Sequence, residues 1–342
     1  MSPLPHAHGG PPLQAQLRAT PEDFVVDELQ DIVPDGSGEH AWLVVKKRGA
    51  NTEWVAKGLA RFAGVAPMDV SYAGVKDRHA LTTQVFTVYL PGRASPDWSQ
   101  LGLEGVEVLE HRRHRRKLKR GALRGNRFGI VLRAIRGDRA AAEARLAAIA
   151  TRGVPNYFGE QRFGLGGANV ERAERMFAGA RVDRALRSML LSAARSQLFN
   201  AVLAERVRRD CWDRGLPGEV WSLAGSRSWF GPEAPSAELD ARLAAFDIHP
   251  SGPLWGRGEL PSADEARALE QSVCAEYETL RSGLERAGLE QERRALRLIP
   301  QAMRWHWLDA DALRLEFELP PGAYATVVLR ELTDWADANA AA

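Results

Sequence analysis

The strongest constraint on the fold of this chain is a change of pattern that occurs twice. Through about residue 150 the sequence reads as mixed α/β. "DFVVDELQ" and "HAWLVVKKRG" have strand character, and "NTEWVAKGLARFAGV" repeats Trp54, Val55, Leu59 and Phe62 at helical spacing behind a candidate cap, Asn51. Val70 to Gly74 and "QVFTVYL" read as two strands around a polar loop, "NRFGIVLRAI" as another, and "DRAAAEARLAAIATR" as an Ala-rich helix. From about Gly153 long helical patterns take over: "NVERAERMFAG", "LRSMLLSAARSQLFNAVLAERVRRDCW", and "SADEARALEQSVCAEYETLRSGLERAGLEQERRALRL", the last expected to break near Gly283 or Gly288. Short Gly/Pro/Trp-rich segments separate them. After Pro300 strands return in "MRWHWLDADALRLEFELPPGAYATVVLREL". A chain that leaves a β-rich domain, builds a helical one and comes back carries an insertion rather than two beads on a linker. Its 342 residues suffice for two domains or one large elaborated one.

Charge is distributed unevenly. Between His111 and Gly137 lie eleven Lys or Arg residues and no Asp or Glu, so a net charge of +2 less +11 leaves −9 elsewhere. An acidic body with one basic stretch points to a polyanion on one face. "HRRHRRKLKRGALRGNRF" is too dense in charge for one helical face. It is either a solvated cationic hairpin or a phosphate-contacting segment. The following "GALRGNRF" favours the second, since two glycines allow close backbone approach, Asn126 offers an amide to a base edge and Phe128 a stacking face. That mixture suits RNA or single strands better than duplex DNA. No apolar run approaches the roughly 20 residues of a membrane span. The first residues, "MSPLPHAHGGPPLQAQ", form a loose Pro/Gly/His leader without the apolar core of a secretory signal. Cys211 and Cys274 make neither a disulfide framework nor a metal spacing, and His6 with His8 reads as an accidental pair. A reducing cytoplasm is expected, with no metal, no membrane and nothing that calls for an obligate dimer, hence a monomer.

"YAGVKDRHALTTQ" places Asp77 between Lys76 and Arg78 in the loop between two strands. Charged strand-connecting loops are usually ordinary turns. "NYFGEQRFGLGGAN" is either a tight turn packed by its own aromatics or part of a site. Its "GLGG" is no phosphate loop, because no strand clearly precedes it and no lysine follows. Phe24 and Tyr324 taken alone are core candidates. No Ser/His/Asp or Cys/His arrangement stands out.

Taken together, "TPEDFVVDE", "GEHAWLVVKKRGANTEWVA", "SYAGVKDRHALTTQ", "GALRGNRF", "VPNYFGEQRFG", "LSAARSQLFN" and "LPPGAYATVVLREL", in this order from about residue 18 to 331, resemble the TruD family of tRNA pseudouridine synthases. The resemblance implies an α+β pseudouridine synthase fold, a mixed sheet flanked by helices, built from residues 1–152 and 300–342. A largely helical family-specific insertion domain would fill 153–299. It implies isomerisation of uridine to pseudouridine in tRNA, at position 13 of the D arm, without cofactor. The aspartate of the "AGxKDR" motif, here Asp77, would be the nucleophile. Arg18 stands where the family commonly has a basic residue, often Lys, able to pair with it. Phe24, Asn126 and Phe128 match positions that line the substrate pocket, Asn126 bonding the uracil edge or ribose and the aromatics sandwiching the ring. Tyr324 stands where relatives usually carry Phe, so its hydroxyl needs a partner. Lys76 and Arg78 are expected to face phosphates. The chemistry needs a carboxylate anion and a base taken out of its stack. Two other classes stay open at this stage. A non-catalytic RNA-binding or RNA-folding protein would explain the basic segment and aromatics but leave Asp77 without a purpose. A carboxylate-nucleophile glycosidase would leave the basic segment unexplained.

Overall fold

The computed structural model describes residues 3–337, which divide into two compact units. One comprises residues 12–140 and 300–322 with the segment from 333 onward; the other comprises residues up to 11, 141–299 and 323–332.

The first unit is built on a mixed sheet. Its strands are β1 (Leu13–Leu17), β2 (Phe24–Leu29), β3 (His40–Arg48), β4 (Val70–Tyr72), β5 (Leu81–Tyr89), β6 (Val106–His114) and β7 (Gly125–Gly137), joined by Gln301–Trp307, Leu313–Leu319 and Thr333–Asp337. The order runs Gln301–Trp307, Leu313–Leu319, β7, β2, β5, β3, β6, with β1 between β7 and Thr333–Asp337, and β4 on β5. Only the β2–β5 and β1–Thr333–Asp337 pairings are parallel. Strand alternation decides what faces the core. In β3, Ala41, Leu43 and Val45 point to one face and are fully buried there with Val55 and Leu59 of helix α1 (Thr52–Ala63). Asn51 caps α1 as its sequence suggests, accepting from the Glu53 N–H at 2.8 Å, and Gly64 closes it in the left-handed region at φ 64°. Trp54, expected in the apolar stripe, is exposed; Ala56, Ala60 and Ala63 complete the packed face instead.

The basic stretch is not a hairpin. Strands β6 and β7 are separated in the sheet by β3, β5 and β2, so residues 115–124 cross between non-neighbouring strands. Leu118 anchors the crossing against Trp42, Ala73 and Val85, with its N–H bonded to Thr87 Oγ1 at 3.1 Å. Some of the cations are structural: Arg133 holds buried Asp23 through two bonds of 2.7 and 2.8 Å, Arg127 holds Glu318 at 2.7 Å, and Arg113 bonds the carbonyls of Gly38 and Leu90. Arg112, Arg115, Arg116 and Lys119 are exposed, and no side-chain ion pair is seen for them among the described residues, though the Arg115 N–H donates to Asp35 Oδ2 at 3.0 Å.

The second unit is helical at its core but not wholly helical. Helix α2 (Arg139–Arg152, whose first two residues fall in the first unit) buries Ala142, Leu146 and Ile149, while α3 (Ala168–Phe177), α4 (Arg184–Arg208), Asp264–Ala275 and Glu278–Arg286 supply a cluster that includes Leu190, Leu198, Val202, Leu269 and Leu284. The Gly/Pro/Trp-rich segments between them supply three strands of a four-stranded antiparallel sheet in the order Trp229–Glu233, Glu219–Leu223, Ile248–Leu254, Glu292–Ala295, and the last strand comes from the end of the stretch expected to be helical. The helical region breaks at Glu276–Tyr277, which the sequence did not signal, and again after Arg286 near Gly288 (φ 80°), one of the two expected points, but not at Gly283. Gly283 lies inside Glu278–Arg286, where a Cβ would collide with the Phe177 ring. The leader is not loose: Glu331 Oε2 accepts from the N–H groups of Ala7 and His8, and Arg330 donates to the Leu4 and Pro5 carbonyls. Both cysteines are buried free thiols, and burial pushes that of Cys274 up to about 12. No described helix is long and apolar enough to cross a membrane.

Candidate active site

Asp77 lies in the irregular segment between β4 and β5, and buried side chains pin that segment along its length. Gln84 Nε2 donates to the Gly74 carbonyl at 3.1 Å, the Lys76 N–H donates to Thr52 Oγ1 at 3.1 Å, and Lys47 Nζ donates to the Asp77 carbonyl at 2.9 Å. The carboxylate itself receives two donors. Oδ1 accepts from the His79 N–H at 2.9 Å and Oδ2 from Arg18 Nη2 at 2.8 Å, an arrangement suited to the anion. The Asp77 side chain keeps 22% of its surface open and that of Arg18 only 9%. One face of the carboxylate is therefore held and the group still reaches solvent.

Arg18 follows β1 with φ at 58°, a left-handed backbone that a non-glycine residue adopts at a cost of roughly 1–3 kcal/mol. Its guanidinium forks, Nη2 to Asp77 and Nη1 to Asp337 Oδ2 at 2.5 Å, while its central carbon lies 4.4 Å from the Phe24 ring centroid. The strained backbone aims one cation at two carboxylates and one ring.

Strand register collects the other expected residues on one face of the sheet. Phe24 sits opposite Ile130, Val26 opposite Phe128, Glu28 opposite Asn126, and in turn Phe128 opposite Phe317. Phe24 and Phe128 do not sandwich anything. Their centroids are 6.2 Å apart at an interplanar angle of 76°, an edge-to-face contact, and Phe128 stacks at 5.6 Å on Phe317. Both are buried, 4% and 7% exposed, so they pack as core residues on this face rather than as two open walls. Asn126 is partly exposed, and its buried Oδ1 accepts no hydrogen bond among the described residues.

Lys76 does not face phosphate. It is buried and its Nζ donates at 2.7 Å to Glu28 Oε2, a carboxylate with no exposed surface that also accepts from Gln30 and the Val85 N–H. Arg78 is exposed in the same loop. Tyr324 belongs to the other compact unit, where its hydroxyl accepts from Arg162 Nη2 at 3.0 Å while Arg162 Nη1 donates to Ser192 Oγ at 2.9 Å. The "NYFGEQRFGLGGAN" turn is in that unit packed by its own buried Tyr157, Phe158 and Phe163, as one of its two sequence readings had it.

Three members of the Asp77 surroundings escaped the sequence reading: Glu28, Lys47 and Asp337. For Lys47 a signal existed. In "HAWLVVKKR" alternation puts Lys47 on the same face as Leu43 and Val45, so one of the two tandem lysines had to point inward.

A family model described as tRNA pseudouridine synthase D (TruD) matches residues 5–178 and 168–332. A tRNA pseudouridine synthase D of Xanthomonas euvesicatoria pv. vesicatoria is 56% identical, covering 98% of this chain and 96% of the relative. One from Methylococcus capsulatus is 51% identical over 97% of this chain and 94% of its own length. The chain belongs to the tRNA pseudouridine synthase D (TruD) family. A solved structure from Methanosarcina mazei, described as tRNA pseudouridine synthase D, superposes with a TM-score of 0.74 at 23% identity, covering 96% of this chain and 95% of that one, and establishes the shared fold. The two residues for which the resemblance raised a question of fit have local partners. The extra hydroxyl of Tyr324 has Arg162 as its partner, and Arg18 in place of Lys uses its fork to reach two carboxylates at once.

Proposed function

We propose that this member of the family, a tRNA pseudouridine synthase, isomerises uridine 13 in the D arm of tRNA with Asp77 as nucleophile. The reading is carried by the partly open Asp77 carboxylate, held by Arg18 and the His79 N–H in the motif that the resemblance marks as catalytic. The N1–C1′ bond must break, the uracil must turn, and C5 must rejoin C1′. An anchored carboxylate serves this by attacking base or sugar and holding the intermediate while the ring turns. Arg18 aims the carboxylate. Asn126 Oδ1, buried without a donor, is ready for an N–H of uracil or a ribose hydroxyl. Phe24 and Phe128, packed edge to face beside Arg18, would underlie a flipped base. Residues 12–140 and 300–322 with the last strand form the catalytic domain in this reading, and the exposed cations Arg112, Arg115, Arg116 and Lys119 bind the RNA backbone.

The test is incubation with unmodified tRNA transcripts carrying a uridine at position 13, mapping pseudouridine by carbodiimide-primed extension, with Asp77→Asn in parallel. A stop at that uridine with the wild-type protein, absent in the variant while tRNA binding survives, supports the assignment. An active variant removes Asp77 as nucleophile. Absence of any stop with binding intact favours an RNA-binding protein instead.

A further inference from the structure

Lys47 is fully buried, yet its ammonium meets no carboxylate among the described residues. Its Nζ donates to two main-chain carbonyls, Ala50 at 2.8 Å and Asp77 at 2.9 Å. Placing a lysine head in the interior on carbonyls alone is unfavourable, and an apolar side chain would continue the Leu43 and Val45 pattern of β3. The charge therefore needs a use, and one of its two bonds ends on the very residue assigned as nucleophile. The other ties on the irregular segment go to its neighbours: Gly121 N–H to the Ala73 carbonyl at 2.8 Å, Gln84 to Gly74, and Thr52 to Lys76. Among these ties to the segment's main chain, the Lys47 bond is the charged one and the one that ends on Asp77.

We propose that Lys47 is a positioning residue for the reaction at Asp77, fixing its main chain from inside the sheet and placing a buried positive charge behind its carboxylate. This rests on Asp77 being the nucleophile. The charged groups that act on Lys47 are Asp77, which favours its protonated form, and Lys76, which opposes it; burial opposes it most and brings its pKa to about 8. Its cross-strand neighbour Thr82 and the capping-region Thr52 are uncharged. Above that pH the amine loses the charge that the carboxylate faces, so turnover falls on the alkaline side.

The test compares wild type, Lys47→Met, Lys47→Gln and Asp77→Asn in single-turnover pseudouridine formation from pH 6 to 9.5, with tRNA binding and thermal melts alongside. Lys47→Met is expected to turn over at least tenfold more slowly, with tRNA affinity within twofold and no fall in melting temperature. Lys47→Gln keeps a donor without a charge. It is expected to recover part of the rate and to lack the alkaline fall of wild type near pH 8, and the comparison cancels titration of the substrate itself. A purely structural lysine would lower the melting temperature and leave the pH profile alone. Rates within twofold of wild type in Lys47→Met, or an alkaline limb unchanged in Lys47→Gln, overturn the proposal. If Asp77→Asn stays active, the nucleophile assignment falls; if it is dead while Lys47→Met is fully active, only the role of Lys47 falls.

Discussion

Replacing Arg18 with Met tests how much of the chemistry depends on the aim of the carboxylate. The side chain is nearly enclosed and forks between Asp77 at 2.8 Å and Asp337 at 2.5 Å. A hydrogen bond to a charged group is worth roughly 1.5–3 kcal/mol. Only the Asp77 arm bears on turnover, and its loss from the transition state corresponds to a fall in kcat of about 10- to 150-fold. The Asp337 arm joins the end of the last strand to the residue after β1, so its loss appears as stability, about 1–3 kcal/mol, with two carboxylates left sharing no guanidinium. Because Arg18 touches protein carboxylates and the Phe24 ring in this structure, KM is expected to move little. Arg18→Lys carries one ammonium in place of the fork, so it recovers turnover more than stability. Single-turnover pseudouridine formation gives the first quantity, filter binding the second and urea denaturation the third. A kcat for Arg18→Met within twofold of wild type would refute the reasoning, since the 2.8 Å bond would then do nothing for the reaction.

Two further predictions concern the second unit. Arg293→Met leaves Glu270, itself 3% exposed, without the guanidinium that bonds both its oxygens at 2.7 and 3.0 Å, and should lower unfolding stability by about 3–5 kcal/mol in urea titration. His249 accepts from Arg297 Nε at 3.1 Å through Nδ1, so it must be neutral there, and burial with the nearby guanidinium lowers its pKa from 6.5 to about 4. Its contribution is complete above about pH 6.5 and is lost as pH falls toward 4, because the unfolded chain takes the proton first. The loss is about 3 kcal/mol, read as a stability slope that His249→Asn flattens.

The legible part of the fold was the part where side-chain pattern and backbone state agree. Strands β2, β3 and β5, the α1 cap and the long α4 helix follow periodicity and capping chemistry. The four-stranded sheet was hidden because Ile248–Leu254 reads "IHPSGPL" and Trp229–Glu233 reads "WFGPE", strands whose Gly and Pro run against propensity and which depend on tertiary pairing. Gly283 looked like a breaker because sequence does not reveal that Phe177 presses on that point of the helix. Asp77, Arg18 and Asn126 were found through motifs. Lys76 was placed wrongly because a cation beside a carboxylate in a polar loop gives no sign that Glu28, 48 residues away in sequence, reaches in to bury it. Phe24 and Phe128 touch, but edge to face rather than as a sandwich, because ring geometry depends on strand register, which no motif encodes.

The structure separates a polar network that holds the fold from one poised for work by whether it is complete. Around Arg293 every arm closes: both Glu270 oxygens are bonded, Ser262 donates to Glu270 at 2.6 Å, and Ser251 takes Arg293 Nε at 3.0 Å while donating to the Val220 carbonyl. Nothing in that set waits for a partner. The face below Asp77 breaks local rules more often: an inward lysine in an apolar strand, a buried Glu28–Lys76 pair, a left-handed Arg18. It also remains unfinished, with Asn126 Oδ1 and Thr82 Oγ1 buried and unbonded. An open acceptor in the interior costs roughly 1–3 kcal/mol while it stays open, and a bound group able to donate would return that energy on arrival. If Asn126 is that acceptor, Asn126→Asp, which keeps the oxygen but adds charge beside Glu28, should weaken substrate use more than it weakens the fold.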